Sequence, residues 1–253
     1  MEMKLKQLVA YLDTQLKINT FKDYCPNGLQ VEGKGEVLRI VSGVTACQRL
    51  IDVAIEKQAD AILVHHGYFW KGEPEAITGI KKKRIQSLLK HDISLLAYHL
   101  PLDSHPQWGN NVQLAKVLDF EITGPIDAGD ERVPGFIGRL PTPMSARQLS
   151  AHIGQRLQRS PQHIGAEDDL IRTIAWCTGG AQSYMQYAID GGIDAYLTGE
   201  INEPSVHNAR ETGTHFYAAG HHATERYGAK ALGEHLAQEF ELEVTFVDID
   251  NPV

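Results

Sequence analysis

The sequence predicts an α/β fold built from two similar α/β domains that arose by internal duplication. Short apolar runs with the character of buried strands alternate with amphipathic segments along the chain, and this alternation is typical of a largely parallel sheet covered by helices on both faces. The two halves also match each other without a gap over part of their length. The matched pairs include Ile40 with Ile174, Asp60 with Asp194, and Leu63 with Leu197. We therefore expect a first domain over residues 1–125 and a second over residues 126–253.

The first half shows the alternation most clearly. Leu5, Leu8 and Leu12 recur at helical spacing and predict an N-terminal amphipathic helix. Three apolar runs predict buried strands, and a predicted helix follows each; the first helix carries apolar residues on one face, and the second is basic. The strands are expected at residues 39–44, 60–64 and 93–98, and the helices at residues 46–59, 80–90 and 109–118.

A connector at residues 125–169, which holds five of the eleven prolines, leads into the second unit. It contains a predicted strand at 133–140 and a predicted helix at 145–158, which Ser145 is placed to cap. The chain closes with residues 242–249, whose alternation of apolar and polar side chains predicts a half-exposed strand.

Composition excludes several classes of protein. A net charge of -8 disfavours a basic face for a nucleic-acid backbone, so we expect no nucleic-acid partner. Cys25, Cys47 and Cys177 are odd in number and far apart, which is typical of reduced thiols rather than of a disulfide framework or a zinc ribbon. The charged N-terminus and the absence of a long apolar run lead us to expect a soluble, cytoplasmic protein without a membrane partner.

Histidine and carboxylate residues recur with one spacing at two distant places. His99 lies four residues before Asp103, His221 lies four before Glu225, and an adjacent pair, His65-His66, follows a predicted strand. Imidazole and carboxylate donors without thiolates suit Zn, Mn, Fe, Ni or Co. Neighbouring strand residues point to opposite sides, which favours two ions over one. The sequence predicts two divalent ions per chain in a cleft between the domains, where open α/β sheets place their ligands.

Each of these residues also has a purely structural interpretation. Asp103 could cap the turn that contains Pro101, and Glu225 could lie on the solvated face of a helix. His99 and His222 could orient a ligand, move a proton, or be packed imidazoles. Two matching spacings at repeat-related positions favour the metal interpretation for Asp103 and Glu225.

Two nearby segments are candidates for handling substrate or protons. Tyr68-Phe69-Trp70 could stack on a heterocyclic base, exclude water from the metals, or fill a subunit contact. Glu200, in Thr198-Gly199-Glu200, falls where the repeat puts the histidine pair. It could be a general base, a partner of a ligating imidazole, or a surface carboxylate. His99 and Glu200 are the candidate catalytic residues.

At these residues the chain resembles the family of dinuclear-metal proteins labelled GTP cyclohydrolase I type 2-like, also called the NGG-interacting-factor family. The resemblance runs nearly end to end. The segments that carry it are Asn27-Gly28-Leu29-Gln30-Val31-Glu32-Gly33, His65-His66-Gly67, His99-Leu100-Pro101-Leu102-Asp103, Thr198-Gly199-Glu200 and Gly220-His221-His222-Ala223-Thr224-Glu225. It implies two α/β domains with the metals in the cleft between them, and a ring-shaped homohexamer whose sites face an internal cavity.

The resemblance also implies a ligand set and a reaction class. His66 and Asp103 would bind one ion, His65 and His221 the other, and Glu225 would bridge them. The family name implies hydrolytic opening of the guanine ring of GTP. We expect a metal-dependent hydrolase that acts on a nucleotide or a related small molecule. The alternative is a non-catalytic metal-binding or interaction scaffold, because a fold does not fix one function.

Overall fold

The computed structural model describes residues 3–253 and confirms a mixed α/β fold. The chain divides into two compact units. Unit 1 contains the described residues up to Trp108 together with Gly228–Asp250, and unit 2 contains Gly109–Tyr227 together with Asn251–Val253. Within residues 3–253, no helix has both the length and the apolar character that crossing a bilayer requires.

Strands and helices alternate along the described chain. The strands are β1 (Met3–Lys4), β2 (Gly28–Val31), β3 (Glu36–Val37), β4 (Arg39–Thr45), β5 (Ala61–His66), β6 (Ser94–Ala97), β7 (Glu121–Pro125), β8 (Phe136–Ser145), β9 (Gln162–Ile164), β10 (Leu170–Trp176), β11 (Ala195–Thr198), β12 (His215–Ala218) and β13 (Glu243–Phe246). The helices are α1 (Leu5–Gln15), α2 (Gln48–Glu56), α3 (Gly79–Lys90), α4 (Leu100–Asp103), α5 (Asn110–Leu118), α6 (Ala146–Leu157), α7 (Met185–Asp190), α8 (Glu203–Thr212) and α9 (His221–Phe240).

The main sheet of unit 1 has the strand order β13-β4-β5-β6-β2. The strands from β13 to β6 run parallel, and β2 pairs with β6 antiparallel at one edge. Alternate strand residues belong to two separate hydrophobic clusters, which is the pattern of strands buried on both faces. One cluster includes Leu8, Ile40, Leu63 and Leu236, and the other includes Val41, Leu50, Ile62 and Leu88. Helices α1 and α9 therefore cover one face, and α2 and α3 cover the other.

The sheet of unit 2 has the order β7-β8-β10-β11-β12-β9. Its central strands β10, β11 and β12 are parallel, and the outer strands pair antiparallel. Both faces are again covered, by α5 and α6 on one side and by α7 and α8 on the other. One cluster includes Leu114, Leu149, Ile174 and Leu197, and the other includes Met185, Tyr196, Ala209 and Phe216.

The expected strand at 133–140 lies further along the chain, as β8. This strand runs to the start of α6, where Ser145 Oγ accepts the backbone N–H of Gln148 at 3.2 Å and the Gln148 side chain accepts the N–H of Ser145 at 2.9 Å. The two bonds form a capping box. The predicted Ser145 cap is confirmed.

The last strand belongs to the sheet of unit 1. Strand β13 pairs in parallel with β4, with Val244 opposite Ile40. The chain therefore returns to unit 1 after unit 2, and the first crossing lies between Trp108 and Gly109 rather than at the expected boundary of residue 125. An alternating pattern predicts a strand, but the neighbour of an edge strand depends on which backbone is close in space.

One backbone contact of an aspartate occurs in both units at residues that the repeat aligns. Asp60 accepts hydrogen bonds from the backbone N–H groups of residues 38–39, at 3.0 and 2.9 Å. Asp194 accepts hydrogen bonds from those of residues 172–173, at 2.8 and 2.9 Å. In each unit the carboxylate directly precedes one parallel strand and binds the backbone of the neighbouring parallel strand. The shared contact supports an origin by duplication.

Candidate metal centre

The histidine pair of unit 1 lies at the end of a buried strand. Strand β5 places His65 with no exposed surface and leaves His66 half-buried. Nδ1 of His65 lies 3.0 Å from the carbonyl oxygen of Tyr98. Because a carbonyl only accepts, Nδ1 carries the proton and Nε2 keeps its lone pair. The rings of His65 and His66 converge, with centroids 4.5 Å apart, instead of pointing to opposite sides as expected.

His99 directly precedes the single helical turn α4, and Asp103 is the last residue of that turn. The N–H of Asp103 donates to the carbonyl oxygen of His99 at 3.0 Å, and the Asp103 side chain is buried. This turn brings Oδ1 of Asp103 to 3.5 Å from Nε2 of His65. One ring nitrogen from each of His65, His66 and His99 lies within 4.8 Å of the others. Unit 1 thus gathers four of the predicted site residues into one cluster.

Unit 2 gathers the other predicted residues at the start of α9. Nε2 of His221 lies 3.1 Å from Oε2 of the buried Glu225, one helical turn away. Nδ1 of His221 lies 2.7 Å from Oε1 of Glu200, at the end of β11. Burial alone would lower the pKa of His221, but the hydrogen bonds and charges of Glu225 and Glu200 outweigh it and raise that pKa to about 9. The imidazole therefore has a strongly negative environment, which favours a cation.

A glycine makes room for this cluster. Gly179 has a φ of +69°, and a Cβ there would overlap Oε1 of Glu225 and lie 3.2 Å from Nε2 of His221. Its backbone is fixed on both sides, because its N–H donates to Oγ1 of Thr224 at 3.0 Å and its carbonyl oxygen accepts from Oγ1 of Thr198 at 3.0 Å. The backbone can approach the functional side chains only because no side chain projects from this position.

The donors of both clusters suit a divalent transition metal or zinc. They are imidazoles and carboxylates, of which His65, Asp103 and Glu225 are buried, and Nδ1 of His65 and of His221 already has a partner. A further group in unit 1 contains Asp23, Cys25 and His99. Burial, and then the charge of Asp23, raises the pKa of Cys25 to about 12. Burial therefore favours the protonated thiol over the thiolate, which is the form that binds metals.

Comparison with known proteins identifies the family. A family model described as Duf34/NIF3 (NGG1p interacting factor 3) matches residues 3–252. The chain belongs to this family. The resemblance expected from the motifs is confirmed. A relative in Pseudomonas aeruginosa named GTP cyclohydrolase 1 type 2 homolog is 54% identical over 252 residues, covering 100% of both chains. A protein of the same name in Vibrio cholerae is 55% identical over 249 residues, covering 98% of each.

Solved structures share the DUF34/NIF3 fold. A protein of unknown function called ybgI has a TM-score of 0.94 and 48% identity, with 99% of this chain and 100% of that chain covered. TTHA1606 from Thermus thermophilus has a TM-score of 0.89 and 34% identity, with the same coverage. Reduced HcgD from Methanocaldococcus jannaschii, at 23% identity, a TM-score of 0.83 and coverage of 98% and 99%, shares the fold.

The aromatic run of this DUF34/NIF3 chain separates into different roles. Tyr68 is buried and its hydroxyl donates to the carbonyl oxygen of Ala46 at 2.7 Å. Phe69 lies under the ammonium group of Lys81, 4.9 Å from the ring centroid. Trp70 lies beside the histidine cluster, with its ring centroid 4.9 Å from that of His99. Of the three, Trp70 is the candidate wall of the site.

Sequence reasoning missed two contributors to the site. Asp23 bonds Nδ1 of His99 at 2.7 Å, although 76 residues separate them. Gly179 shapes the pocket of Glu225. Thr178-Gly179-Gly180, one residue beyond the end of β10, was a usable signal, because consecutive glycines near a strand end often mark a close approach of the backbone. His222, which the sequence left open, donates its backbone N–H to Val253 at 2.9 Å.

Proposed function

We propose that this DUF34/NIF3 protein is a dinuclear metal-dependent hydrolase that acts on a nucleotide or a related small molecule. The observation that carries the proposal is one histidine–carboxylate cluster in each unit, with imidazoles held at Nδ1. Metal-binding histidines are held in this way, because a hydrogen bond at one ring nitrogen selects the tautomer and makes the other nitrogen more basic. Relatives named GTP cyclohydrolase 1 type 2 homolog support a nucleotide as substrate.

Five side chains would hold the ions. Unit 1 supplies His65, His66 and Asp103, and unit 2 supplies His221 and Glu225, with Glu225 as the bridge. The 3.5 Å between Nε2 of His65 and Oδ1 of Asp103 is close to the separation of two ligands on one tetrahedral ion, about 3.4 Å for bonds of about 2.1 Å. We therefore propose that His65 and Asp103 share an ion, in place of the pairing of His66 with Asp103.

Two divalent ions supply Lewis acidity and make water a nucleophile at neutral pH when they are bound. His99, beside the histidine pair, would accept a proton from the nucleophile and return it to the leaving group. Glu200 would hold Nδ1 of His221, so that Nε2 of this ring faces the metal ion. Trp70 would line the substrate pocket and exclude water from it.

We also propose a cytoplasmic homohexamer, as the resemblance implies. Size-exclusion chromatography with light scattering tests the assembly. The expected mass is close to that of six chains of 28.1 kDa, and a monomer at all concentrations would contradict the proposal.

The decisive experiment measures metal content and hydrolysis together. Purified protein loaded with Zn²⁺, Mn²⁺, Fe²⁺, Ni²⁺ or Co²⁺ is assayed against GTP, other nucleotides and phosphoesters. The test variants are His65→Ala and Glu225→Ala. The matched controls are His91→Ala and Glu211→Ala, which change the same residue types at exposed positions of the same units.

We expect two ions per chain and turnover of at least one substrate. Each test variant, shown to be folded by circular dichroism, should lose metal and activity, whereas the controls should keep both. Full activity in both test variants would exclude the mechanism. Two tightly held ions with no turnover across the panel would instead indicate the non-catalytic scaffold.

A further inference from the structure

One loop of unit 1, residues 23–27, holds the ring and the backbone of His99. Oδ1 of Asp23 lies 2.7 Å from Nδ1 of His99. Oδ2 of Asp23 accepts the backbone N–H of Leu100 at 2.9 Å and Nδ2 of Asn27 at 2.9 Å. Oδ1 of Asn27 accepts the backbone N–H of His99 at 2.7 Å. Three hydrogen bonds thus link this loop to the turn that carries Asp103, and a fourth, from Asn27 to Asp23, braces the loop itself.

The charge state of Asp23 determines which ring nitrogen of His99 carries the proton. Burial alone would raise the pKa of Asp23, but the hydrogen bond and charge of His99 and the bonds from Asn27 and the backbone of Tyr24 lower it to about 2. The side chain is only 4% exposed. An ionised carboxylate only accepts hydrogen bonds, so Nδ1 of a neutral His99 must carry the proton.

Neighbouring rings hold His99 in this orientation. Its centroid lies 5.0 Å from that of His65 and 5.7 Å from that of His66. Trp70 packs at 84° to the ring, 4.9 Å away, and Tyr24 at 66°, 6.5 Å away. The two ring nitrogens point in different directions from the ring, so Nε2 is directed away from Asp23.

Unit 2 contains the same arrangement. Glu200 bonds Nδ1 of His221 at 2.7 Å, and Nε2 of His221 lies 3.1 Å from Glu225. His99 aligns with His221 in the repeated His-x-x-x-Asp/Glu motif. A carboxylate that fixes Nδ1 and leaves Nε2 for the site therefore occurs in both units.

We propose that Asp23 is a positioning residue, which fixes His99 in the Nδ1–H tautomer so that the lone pair of Nε2 serves as the proton acceptor beside His65 and His66. The use of that lone pair in hydrolysis rests on the proposed function. The tautomer itself does not.

The variant Asp23→Asn reverses the tautomer by a defined route. Oδ2 accepts two donors, from Leu100 and Asn27, whereas Oδ1 accepts one backbone N–H, from Tyr24. We therefore expect the amide oxygen of the variant to take the place of Oδ2. Its NH₂ group then faces His99 and donates to Nδ1, which moves the ring proton to Nε2. The control is Asp52→Asn in the same unit, where an exposed carboxylate on α2 accepts a surface hydrogen bond from Gln48.

Two readouts test the proposal on the full chain loaded with Zn²⁺. ¹⁵N NMR spectra of protein labelled at histidine report which ring nitrogen carries the proton, and His99→Gln identifies the His99 signals. We expect Nδ1–H in the wild type and in Asp52→Asn, and Nε2–H in Asp23→Asn. With a substrate that is hydrolysed, kcat should fall on the order of 10²–10⁴-fold in Asp23→Asn, with KM and zinc content nearly unchanged.

The outcomes separate the two proposals. An Nε2–H tautomer in the wild type overturns the role of Asp23 even if Asp23→Asn fails to fold. An unchanged tautomer in a folded Asp23→Asn also overturns it. If the tautomer switches but no substrate is ever hydrolysed, Asp23 positions His99 and the hydrolase proposal fails by itself.

Discussion

Replacing Gly179 by alanine tests whether the close approach of the backbone to Glu225 matters for metal binding. Gly179 has a φ of +69°, and an added Cβ would overlap Oε1 of Glu225. Gly213, at the C-terminal end of α8, has a similar φ of +78°, and an added Cβ there has no neighbouring atom within 4 Å. The pair Gly179→Ala and Gly213→Ala therefore shares the backbone penalty and differs in the contact.

The two effects have separate magnitudes. An alanine in the left-handed region costs about 1–2 kcal/mol, so both variants should melt a few degrees lower, at roughly 2–4 °C per kcal/mol for a chain of this size. In Gly179→Ala the carboxylate of Glu225 must also move by roughly 1 Å to restore normal contact. Glu225 is 3% exposed and has little free space in a packed interior. Since even disturbed supporting contacts cost 10–100-fold in metal affinity, we expect a loss of at least about 10-fold.

The assay is competition for Zn²⁺ against a chromophoric chelator, with thermal unfolding of the metal-free protein measured in parallel. Gly213→Ala should lose stability and keep the affinity of the wild type. Gly179→Ala should lose both. Equal zinc affinities for the two variants, at similar stability, would refute the reasoning that Gly179 makes room for a ligand.

Three further predictions follow from single contacts. Burial alone would raise the pKa of Asp60, but hydrogen bonds from residues 38–39 and from Lys34 outweigh it and lower that pKa. The stabilisation that the ionised carboxylate provides is therefore present above the ordinary pKa of about 3.9 and is lost as the pH falls below it. When the free energy of unfolding is measured in urea from pH 6 to pH 3, it should fall less in Asp60→Asn than in the wild type. An equal fall in the two proteins would contradict this. Tyr68→Phe should lower the free energy of unfolding by about 1 kcal/mol without changing KM, whereas Trp70→Ala should raise KM for a hydrolysed substrate; the reverse pattern in steady-state kinetics would exclude Trp70 as a pocket wall. Ser145→Ala should cost about 1 kcal/mol in chemical denaturation with metal content unchanged, and no loss would show that the capping box is not needed.

The regular alternation of strands and helices was predictable because it depends on local order. Apolar residues at strand and helix periods have only one way to bury their surface, so the runs that became β4, β5 and β6 were recognisable. The histidine and carboxylate motifs were recognisable for a related reason, since a fixed spacing on one helical turn brings their side chains together. His221 and Glu225 illustrate this, at 3.1 Å.

The residues that the sequence did not reveal act across long separations. Asp23 meets His99 only because the loop before β2 lies against the turn after β6. Tyr68 and Trp70 are two residues apart, yet one is buried against Ala46 and the other faces His99. The direction of each side chain was set by the backbone around Phe69, which has a φ of +66°.

The sequence by itself determined the α/β class, the strand that ends in the histidine pair, and the donor types that suit a divalent metal, because these follow from hydrophobic periodicity and from side-chain chemistry. Tertiary structure decided that β13 joins the sheet of unit 1, that Asp23 and Glu200 hold the Nδ1 atoms of His99 and His221, and that Gly179 leaves space beside Glu225. Such contacts depend on which segments, distant along the chain, lie close together in the fold. Hydrogen bonds and steric exclusion depend on distance in space and not on separation along the chain.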